Sequence, residues 1–248
     1  DMRKYGHLPL TESDAFNGGL ASHILLRAGT AIAKVDSALP DEKLAPLNCS
    51  LATMCGAFRL GDFQPGLSVA ILGAGMLGLQ GAAYARSEKA ASVTLVDPVS
   101  KRLDLGRPFG ADAVHLSTDE LEDAGFDLVI DTSGAGSAMK NSLRLARIGG
   151  TVIWVGAVYP QPPLEVDAEQ IVRKMLTIKG LHNYNTGDFR EAVRHLEAQH
   201  AQYPFEKLVH KIYPLRDIQA AVQEAETGTA CRIGLSAWPV FASSAPAR

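Results

Sequence analysis

The middle of the chain alternates short runs made up mostly of apolar residues with longer amphipathic stretches. Continuous apolar runs of about four to eight residues are typical of parallel strands buried on both faces. These runs predict six strands: Val69–Leu72, Val93–Val96, Ala113–Leu116, Phe126–Asp131, Thr151–Val155 and Leu176–Leu181. The intervening stretches predict helices over Met76–Glu88, Lys101–Phe109 and Ser137–Arg147, the last closed by Gly149 and Gly150. The alternation predicts the α/β class, with a doubly wound parallel sheet of six strands.

A glycine motif joins the first predicted strand to the helix that follows it. Its GxGxxG spacing, together with an acid after the second strand, gives these candidate cofactor-binding residues: Gly73, Gly75, Met76, Leu77, Gly78 and Asp97. The first glycine permits a tight turn, the second lets the backbone approach a pyrophosphate, and the third lets helix and strand pack closely. The start of the helix presents amide hydrogens and a positive dipole end to that anion. Because Asp97 would accept hydrogen bonds from the adenosine ribose and repel a 2′-phosphate, the motif predicts NAD in preference to NADP.

Both ends of the chain lack this strand–helix rhythm. Before the glycine motif, Ala21–Leu26 and Ala31–Val35 predict short strands, and residues 47–60 predict a helix. After the sixth strand the pattern predicts two further helices and two strands, namely a helix begun by Asp188, a strand over Leu208–Tyr213, a helix begun by Asp217 and a strand over Cys231–Leu235. The two ends are therefore expected to belong to a different subdomain from the middle.

The composition is that of a globular protein and argues against several classes of partner. The 248 residues carry a net charge of −3, which gives no electrostatic reason to bind nucleic acid or an acidic membrane. No apolar run reaches the ~18 residues that a membrane-spanning helix needs. The three cysteines form no CxxC pair, which is typical of a reducing cytoplasm. Because the chain begins with neither Met nor a signal-type apolar stretch, we expect it to be the middle of a longer protein.

Seven stretches spread over the chain carry a family resemblance. They are GGLASHILLRAGTAIAKVDSALPDE, LNCSLAT, ILGAGMLGL, FDLVIDTSG, GGTVIWVG, LTIKGLHNYNTGDF and YPLRDIQAAVQEAETGTACRIGL. Together they resemble the zinc-dependent medium-chain alcohol dehydrogenases, and KYGH, LNCSLAT and LTIKGLHNYN resemble the branch associated with phosphonate catabolism. The resemblance implies a Rossmann domain inserted into a GroES-like, β-rich catalytic domain. It places a partial GroES-like domain at 1–54, the NAD-binding Rossmann domain at 55–185, and a return to the catalytic domain with a tail at 186–248.

The resemblance also implies roles for residues that match the family's motifs. Cys49 matches the position at which the family has the third ligand of its catalytic zinc. Thr53 matches the position of a hydroxyl residue that contacts the nicotinamide. Arg102 matches a basic residue beside the adenosine ribose, and Arg232 an arginine that reaches the pyrophosphate. The remaining cofactor-binding positions are Ser133, Val155, Gly156, Leu181 and Asn183, of which the last four match backbone that holds the carboxamide. The family's other catalytic zinc ligands and its structural zinc lobe would lie before this chain.

These observations predict a zinc-dependent, NAD-linked alcohol dehydrogenase that transfers hydride from a primary or secondary alcohol to the nicotinamide. The alternatives are a zinc-free, quinone-type reductase of the same superfamily and a non-catalytic NAD-binding protein. We expect a small-molecule alcohol as substrate, a cytoplasmic location, and a homodimer or homotetramer formed through the edge strand Leu176–Leu181. With one zinc ligand present, the chain alone is expected to bind NAD without alcohol dehydrogenase activity.

Overall fold

The computed structural model describes residues 18–36, 38–228 and 230–237, which fall into two compact units. The larger unit is Val35–Glu206, and the smaller unit combines the described residues on either side of it. Helices of the larger unit are α1 (Asp41–Leu44), a π-helical turn (Leu47–Leu51), α2 (Ala52–Leu60), α3 (Met76–Ser87), α4 (Ser100–Leu103), a 3₁₀ turn (Thr118–Glu120), α5 (Gly136–Leu145), α6 (Ala168–Arg173) and α7 (Thr186–Gln199). Its strands are β1 (Ser68–Leu72), β2 (Ser92–Val96), β3 (Ala113–His115), β4 (Phe126–Asp131), β5 (Ala146–Trp154) and β6 (Thr177–Gly180). None of the described helices is both long and apolar enough to cross a bilayer.

The six strands form one parallel sheet in the order β3-β2-β1-β4-β5-β6. This order is that of a doubly wound Rossmann sheet, so the predicted α/β class and six-stranded parallel sheet are confirmed. Leu72 lies opposite both Val96 and Asp131, and Asp131 lies opposite Trp154. The carboxyl ends of β1, β2, β4 and β5 therefore meet at one edge, where sheets of this kind bind their ligands.

The central strands are buried on both faces. Val69 of β1 and Leu128 of β4 on one face, and Ala70 and Val129 on the other, are fully inaccessible to solvent. Because helices cover both faces of a parallel sheet, most side chains along its central strands need to be apolar, which explains the nearly continuous apolar runs in the sequence.

Two strands predicted near the start of the chain are not formed. Ala21–Leu26 and Ala31–Val35 contain no strand, and Leu25 and Ile32 remain 66% and 75% exposed. A strand needs a neighbour to satisfy its amide and carbonyl groups. No described strand pairs with this segment, so the prediction of two strands here was wrong.

Two boundaries within the sheet-forming region were also predicted wrongly. Helix α4 ends at Leu103 instead of continuing to Phe109, in keeping with Pro108, which cannot donate a helical hydrogen bond. Helix α5 gives way directly to β5, because Ala146 already has an extended backbone with ψ of 133°. The glycine pair at 149–150 therefore lies inside β5 and does not close the helix.

The starts of the last two helices differ in detail from the prediction. Asn185, not Asp188, is the residue that caps α7, since its side chain accepts the Asp188 amide at 2.9 Å. Asp188 instead accepts the Asn185 amide at 3.0 Å, which completes a reciprocal capping box. Asp217 precedes the later helix as predicted, but its side chain makes no capping hydrogen bond.

The smaller unit has a simple strand–helix–strand core. It contains β7 (Val209–Pro214), a 3₁₀ turn (Leu215–Asp217), α8 (Ile218–Glu226) and β8 (Arg232–Ser236), and a further 3₁₀ turn covers Phe205–Leu208. Strands β7 and β8 pair in parallel, which confirms the two strands predicted after the sheet. The Tyr213 hydroxyl donates a hydrogen bond to Glu224 and so ties α8 to β7.

Candidate functional site

The glycine motif forms the tight connection between β1 and α3. Gly73 has φ of +109°, a conformation that side chains disfavour, and a Cβ there would lie 2.6 Å from Thr132 Oγ1. A Cβ on Gly78 would lie only 1.8 Å from the carbonyl oxygen of Gly73. A Cβ on Gly75, by contrast, would meet nothing within 4 Å. The first and third glycines thus allow the turn and the close helix packing, whereas the second leaves open space beside the start of the helix.

Asp97 lies at the carboxyl end of β2 and is 3% exposed. Its Oδ2 accepts the Ala74 amide of the glycine loop at 2.8 Å, and its Oδ1 accepts the Val99 amide at 2.8 Å. The Arg102 guanidinium lies 3.7 Å from Oδ2. Each carboxylate oxygen has two lone pairs, so these bonds leave acceptor capacity for a ligand hydroxyl. The carboxylate therefore both holds the glycine loop in place and borders the open space beside it.

A cavity of about 370 Å³ opens between the ends of β1, β2 and β4. Several predicted cofactor residues line it, together with polar groups on the loop after β3 and on α5: Gly73, Asp97, Arg102, Ser133, Ser117, Thr118 and Asn141. The Asn141 amide donates to Thr118 Oγ1 at 2.8 Å, which joins the two walls. A cavity of this size and mixed lining is typical of a small-molecule site.

The loops after β4 and β5 are joined by Asp131, a residue to which the sequence analysis gave no role. Asp131 is fully buried, and its carboxylate accepts hydrogen bonds from Ser133 and Gly134. Burial raises the pKa of the Asp131 carboxyl, and those hydrogen bonds oppose the rise. An acid that ends an apolar strand and is followed by serine and glycine is the signal that could have identified it.

A second cavity, of about 460 Å³, lies at the ends of β5 and β6. Among its lining residues are Val155 and Leu181, whose assigned role is to hold a carboxamide, and also Trp154 and His182. The Leu181 amide donates to the Trp154 carbonyl at 2.9 Å, which fixes the loop after β6 against β5. Asn183 follows with φ of +64°, a left-handed conformation that asparagine tolerates better than most residues.

Cys49 lies in the π-helical turn with its side chain exposed, and Thr53 is buried one turn later. The Thr53 hydroxyl donates to the Cys49 carbonyl at 2.9 Å. Burial, aided by the nearby Cys49, raises the pKa of Tyr184. Within residues 18–36, 38–228 and 230–237, no group of three His, Cys, Asp or Glu side chains is placed to hold a metal. The described residues therefore do not complete a zinc site around Cys49.

The structure brings most of the predicted cofactor residues to the same edge of the sheet. Gly73, Asp97, Arg102 and Ser133 line the first cavity, and Val155 and Leu181 border the second. The predicted residues Gly75, Met76, Leu77 and Gly78 do not line the first cavity. Arg232 opens β8 in the smaller unit, so its contact with a pyrophosphate stays a prediction. The binding roles of all these residues likewise stay predictions.

Comparison with known proteins supports the sequence-based resemblance at the level of the family. A family model described as "Zinc-binding dehydrogenase" matches residues 76–198. The L-threonine 3-dehydrogenase of Pectobacterium carotovorum is 35% identical over 177 residues, which are 66% of this chain and 49% of that protein. The probable D-xylulose reductase A of Arthroderma otae is 28% identical over 226 residues, which are 86% of this chain and 62% of that protein.

A solved structure has the same fold. The alcohol dehydrogenase of Thermotoga maritima superposes with a TM-score of 0.84 at 28% identity, covering 94% of this chain and 66% of that chain. The chain thus spans between about half and two thirds of the length of these three proteins.

Proposed function

We propose that this chain, whose matches support the zinc-binding dehydrogenase family, is the NAD-binding part of an alcohol dehydrogenase. The observation that carries the proposal is the geometry at the end of β1 and β2. There Gly73 of the glycine loop and the Asp97 carboxylate line one cavity, and a Cβ on Gly75, just before α3, would meet nothing within 4 Å. A dinucleotide in this position would place its pyrophosphate at the helix start and its adenosine ribose at Asp97.

The reaction we propose is hydride transfer from the carbon of a primary or secondary alcohol to the nicotinamide ring. The chain's own contribution would be orientation: the ring would lie toward the second cavity, beside Val155 and Leu181. We propose that the whole protein depends on zinc for this reaction. Among the described residues no group of three His, Cys, Asp or Glu side chains is placed to hold a metal, so the ligands that would join Cys49 would come from the rest of that protein. Formation of NADH from NAD with a panel of alcohols, followed by absorbance on the whole protein, tests the dehydrogenase activity.

Cofactor preference is expected to depend on Asp97. Fluorescence titration of the purified chain should show NADH bound more tightly than NADPH, because a carboxylate bonds ribose hydroxyls and repels a 2′-phosphate. In Asp97→Ser, NADH affinity should fall roughly tenfold or more, because the charge-assisted hydrogen bonds to the ribose are lost. The ratio of NADH to NADPH affinity should also decrease. A wild-type protein that binds both cofactors equally well would contradict the assignment.

Asp112→Ser is a matched control for that experiment. Asp112 immediately precedes β3, at the amino edge of the sheet, and like Asp97 it accepts a backbone amide, that of Val93 in β2 at 2.9 Å. It does not line the cavity at the carboxyl ends of the strands. We therefore expect Asp112→Ser to leave the ratio of NADH to NADPH affinity unchanged, even if it lowers stability.

We also propose that two copies of the chain pair through β6. This strand is outermost in the sheet, and an outer strand presents unpaired amide and carbonyl groups to solvent. Sedimentation equilibrium at micromolar concentration should show a dimer or larger assembly, and a charge on the edge, Thr177→Lys, should shift it toward monomer. Gln64→Lys, which adds the same charge at an exposed position outside the sheet, is the control. A wild-type protein that is monomeric under these conditions would rule out the pairing.

A further inference from the structure

Asp131 is a buried acid at the centre of the carboxyl edge of the sheet. It ends β4, between Leu72 of β1 and Trp154 of β5, and is fully inaccessible to solvent. Within the described part of the chain its carboxylate is held by hydrogen bonds and not by an ion pair. A buried charge without a counter-ion is costly, which makes the placing of its hydrogen-bond donors important.

All the donors to this carboxylate come from the loop that follows β4. Oδ1 accepts the Ser133 amide at 3.1 Å and the Ser133 hydroxyl at 2.6 Å, and Oδ2 accepts the Gly134 amide at 3.0 Å. The main-chain carbonyl of Asp131 accepts the amides of Val155 at 2.9 Å and Gly156 at 3.2 Å. One residue thus holds both the loop after β4 and the loop after β5.

The two loops touch through their backbones. A Cβ on Gly134 would lie 2.4 Å from the Gly156 carbonyl oxygen, and a Cβ on Gly156 would lie 2.2 Å from the Gly134 amide nitrogen. No side chain separates them, so a shift of one loop must displace the other. The Thr132 hydroxyl also bonds the carbonyls of Leu72 and Gly73, at 3.0 and 3.1 Å, which keeps the glycine loop in contact with β4 independently of the carboxylate.

The strand order divides the cofactor between two halves of the sheet. In this order, one mononucleotide half lies over β1, β2 and β3, and the other lies over β4, β5 and β6. Asp97 and the glycine loop belong to the first half, which takes the adenosine. We propose that Asp131 is the positioning residue for the second half, and that its carboxylate sets the loops at 133–134 and 155–156 on which the nicotinamide half of NAD rests. This inference depends on the proposed function.

Replacement of Asp131 by asparagine tests the inference. The amide side chain of the variant retains one acceptor oxygen, but its NH₂ group would replace Oδ2 and face the Gly134 amide. Both of these groups are donors, so the hydrogen bond from Gly134 would be lost. Ser133, Gly134 and the loop after β5 should therefore shift. Thr132, which does not bond the Asp131 carboxylate but bonds the carbonyls of Leu72 and Gly73, should keep the glycine loop in place. In Asp131→Asn we expect NADH affinity to fall roughly tenfold or more and ADP affinity to fall several-fold less, since of these loop residues only Ser133 lines the first cavity.

A matched control lies at the other end of the same strand. The Asp127 carboxylate accepts the Ser68 amide at 2.8 Å and the Ser68 hydroxyl at 2.6 Å, much as Asp131 accepts the Ser133 donors. Asp127→Asn should lower the thermal unfolding temperature without changing the ratio of NADH to ADP affinity. A residue that positions the cofactor should change the ratio of NADH to ADP affinity, whereas a residue that only stabilises the fold should not.

Titration of the purified wild-type chain and its variants with NADH and ADP decides between the outcomes. A wild type that binds neither ligand overturns the proposed function and this inference with it. A wild type that binds both, with an Asp131→Asn variant weakened equally for both or for neither, overturns the inference alone. If Asp131→Asn does not fold, Ser133→Ala replaces it, since it removes only the hydroxyl donor. An unchanged ratio in Ser133→Ala would then overturn the inference, and a selective loss of NADH affinity would support it.

Discussion

Replacing Gly78 by alanine is expected to lower NADH affinity by roughly 100-fold or more and to destabilise the fold by on the order of 3 kcal/mol. The added Cβ would lie 1.8 Å from the Gly73 carbonyl oxygen and 2.9 Å from its carbon. Both are backbone atoms, which cannot rotate away as the end of a side chain can. Helix α3 must therefore move off β1, and the loop between them loses the shape that a pyrophosphate would need. Fluorescence titration with NADH and thermal unfolding measure the two effects.

Two other glycines provide the comparison. Gly75→Ala places its Cβ where nothing lies within 4 Å, so the unfolding temperature should stay the same while NADH affinity falls, because the methyl group would occupy the space proposed for the phosphates. Gly125→Ala, whose Cβ would meet only the Glu122 carbonyl at 3.6 Å, should alter neither quantity. If Gly78→Ala binds NADH as the wild type does, the glycine loop is not the phosphate site.

The free energy of unfolding is expected to fall by about 3 kcal/mol as the pH drops from about 6.5 to about 4, because the buried His195 resists protonation in the folded protein. This side chain is 1% exposed, and within the described structure its Nε2 has no hydrogen-bond partner. Burial and the charge of Arg194 together lower the pKa of His195 to about 4, and Glu191 opposes them. Since the folded pKa lies below the unfolded value, the unfolded chain binds the proton first, and acid favours unfolding between the two values. Urea unfolding at several pH values measures the effect.

His195→Leu should remove most of this pH dependence. Leucine at this position leaves no polar group without a hydrogen-bond partner. The Ser87 hydroxyl, which lies 3.3 Å from His195 Nδ1, also donates to the Tyr84 carbonyl at 2.9 Å and would keep that bond. His200→Leu, at the partly exposed end of the same helix, should keep the wild-type pH dependence. A His195→Leu protein that loses stability in acid as the wild type does would show that other groups are responsible.

Those features of the fold that depend on local sequence were predictable. The strand Phe126–Asp131 was predicted with the bounds that the structure has, because Phe126 and the run at 128–130 form the apolar pattern of a strand buried on both faces. The turn at Gly73 was predictable for a similar reason, since few residues other than glycine adopt φ of +109°. The strand over Ala21–Leu26 was not formed, because an apolar stretch makes a strand only where another strand pairs with it.

The sequence by itself determined the class of fold, the position of the glycine loop and the acid after the second strand. Each of these follows from constraints within a few neighbouring residues: apolar runs, glycine spacing and the end of a strand. Only the tertiary structure decided what Asp131 and His195 do. The bonds of Thr132 to β1 join residues about 60 positions apart in the chain, and the environment of His195 comes from α3, more than 100 positions away. Burial and hydrogen bonding at such separations depend on how the elements pack, which no local pattern records.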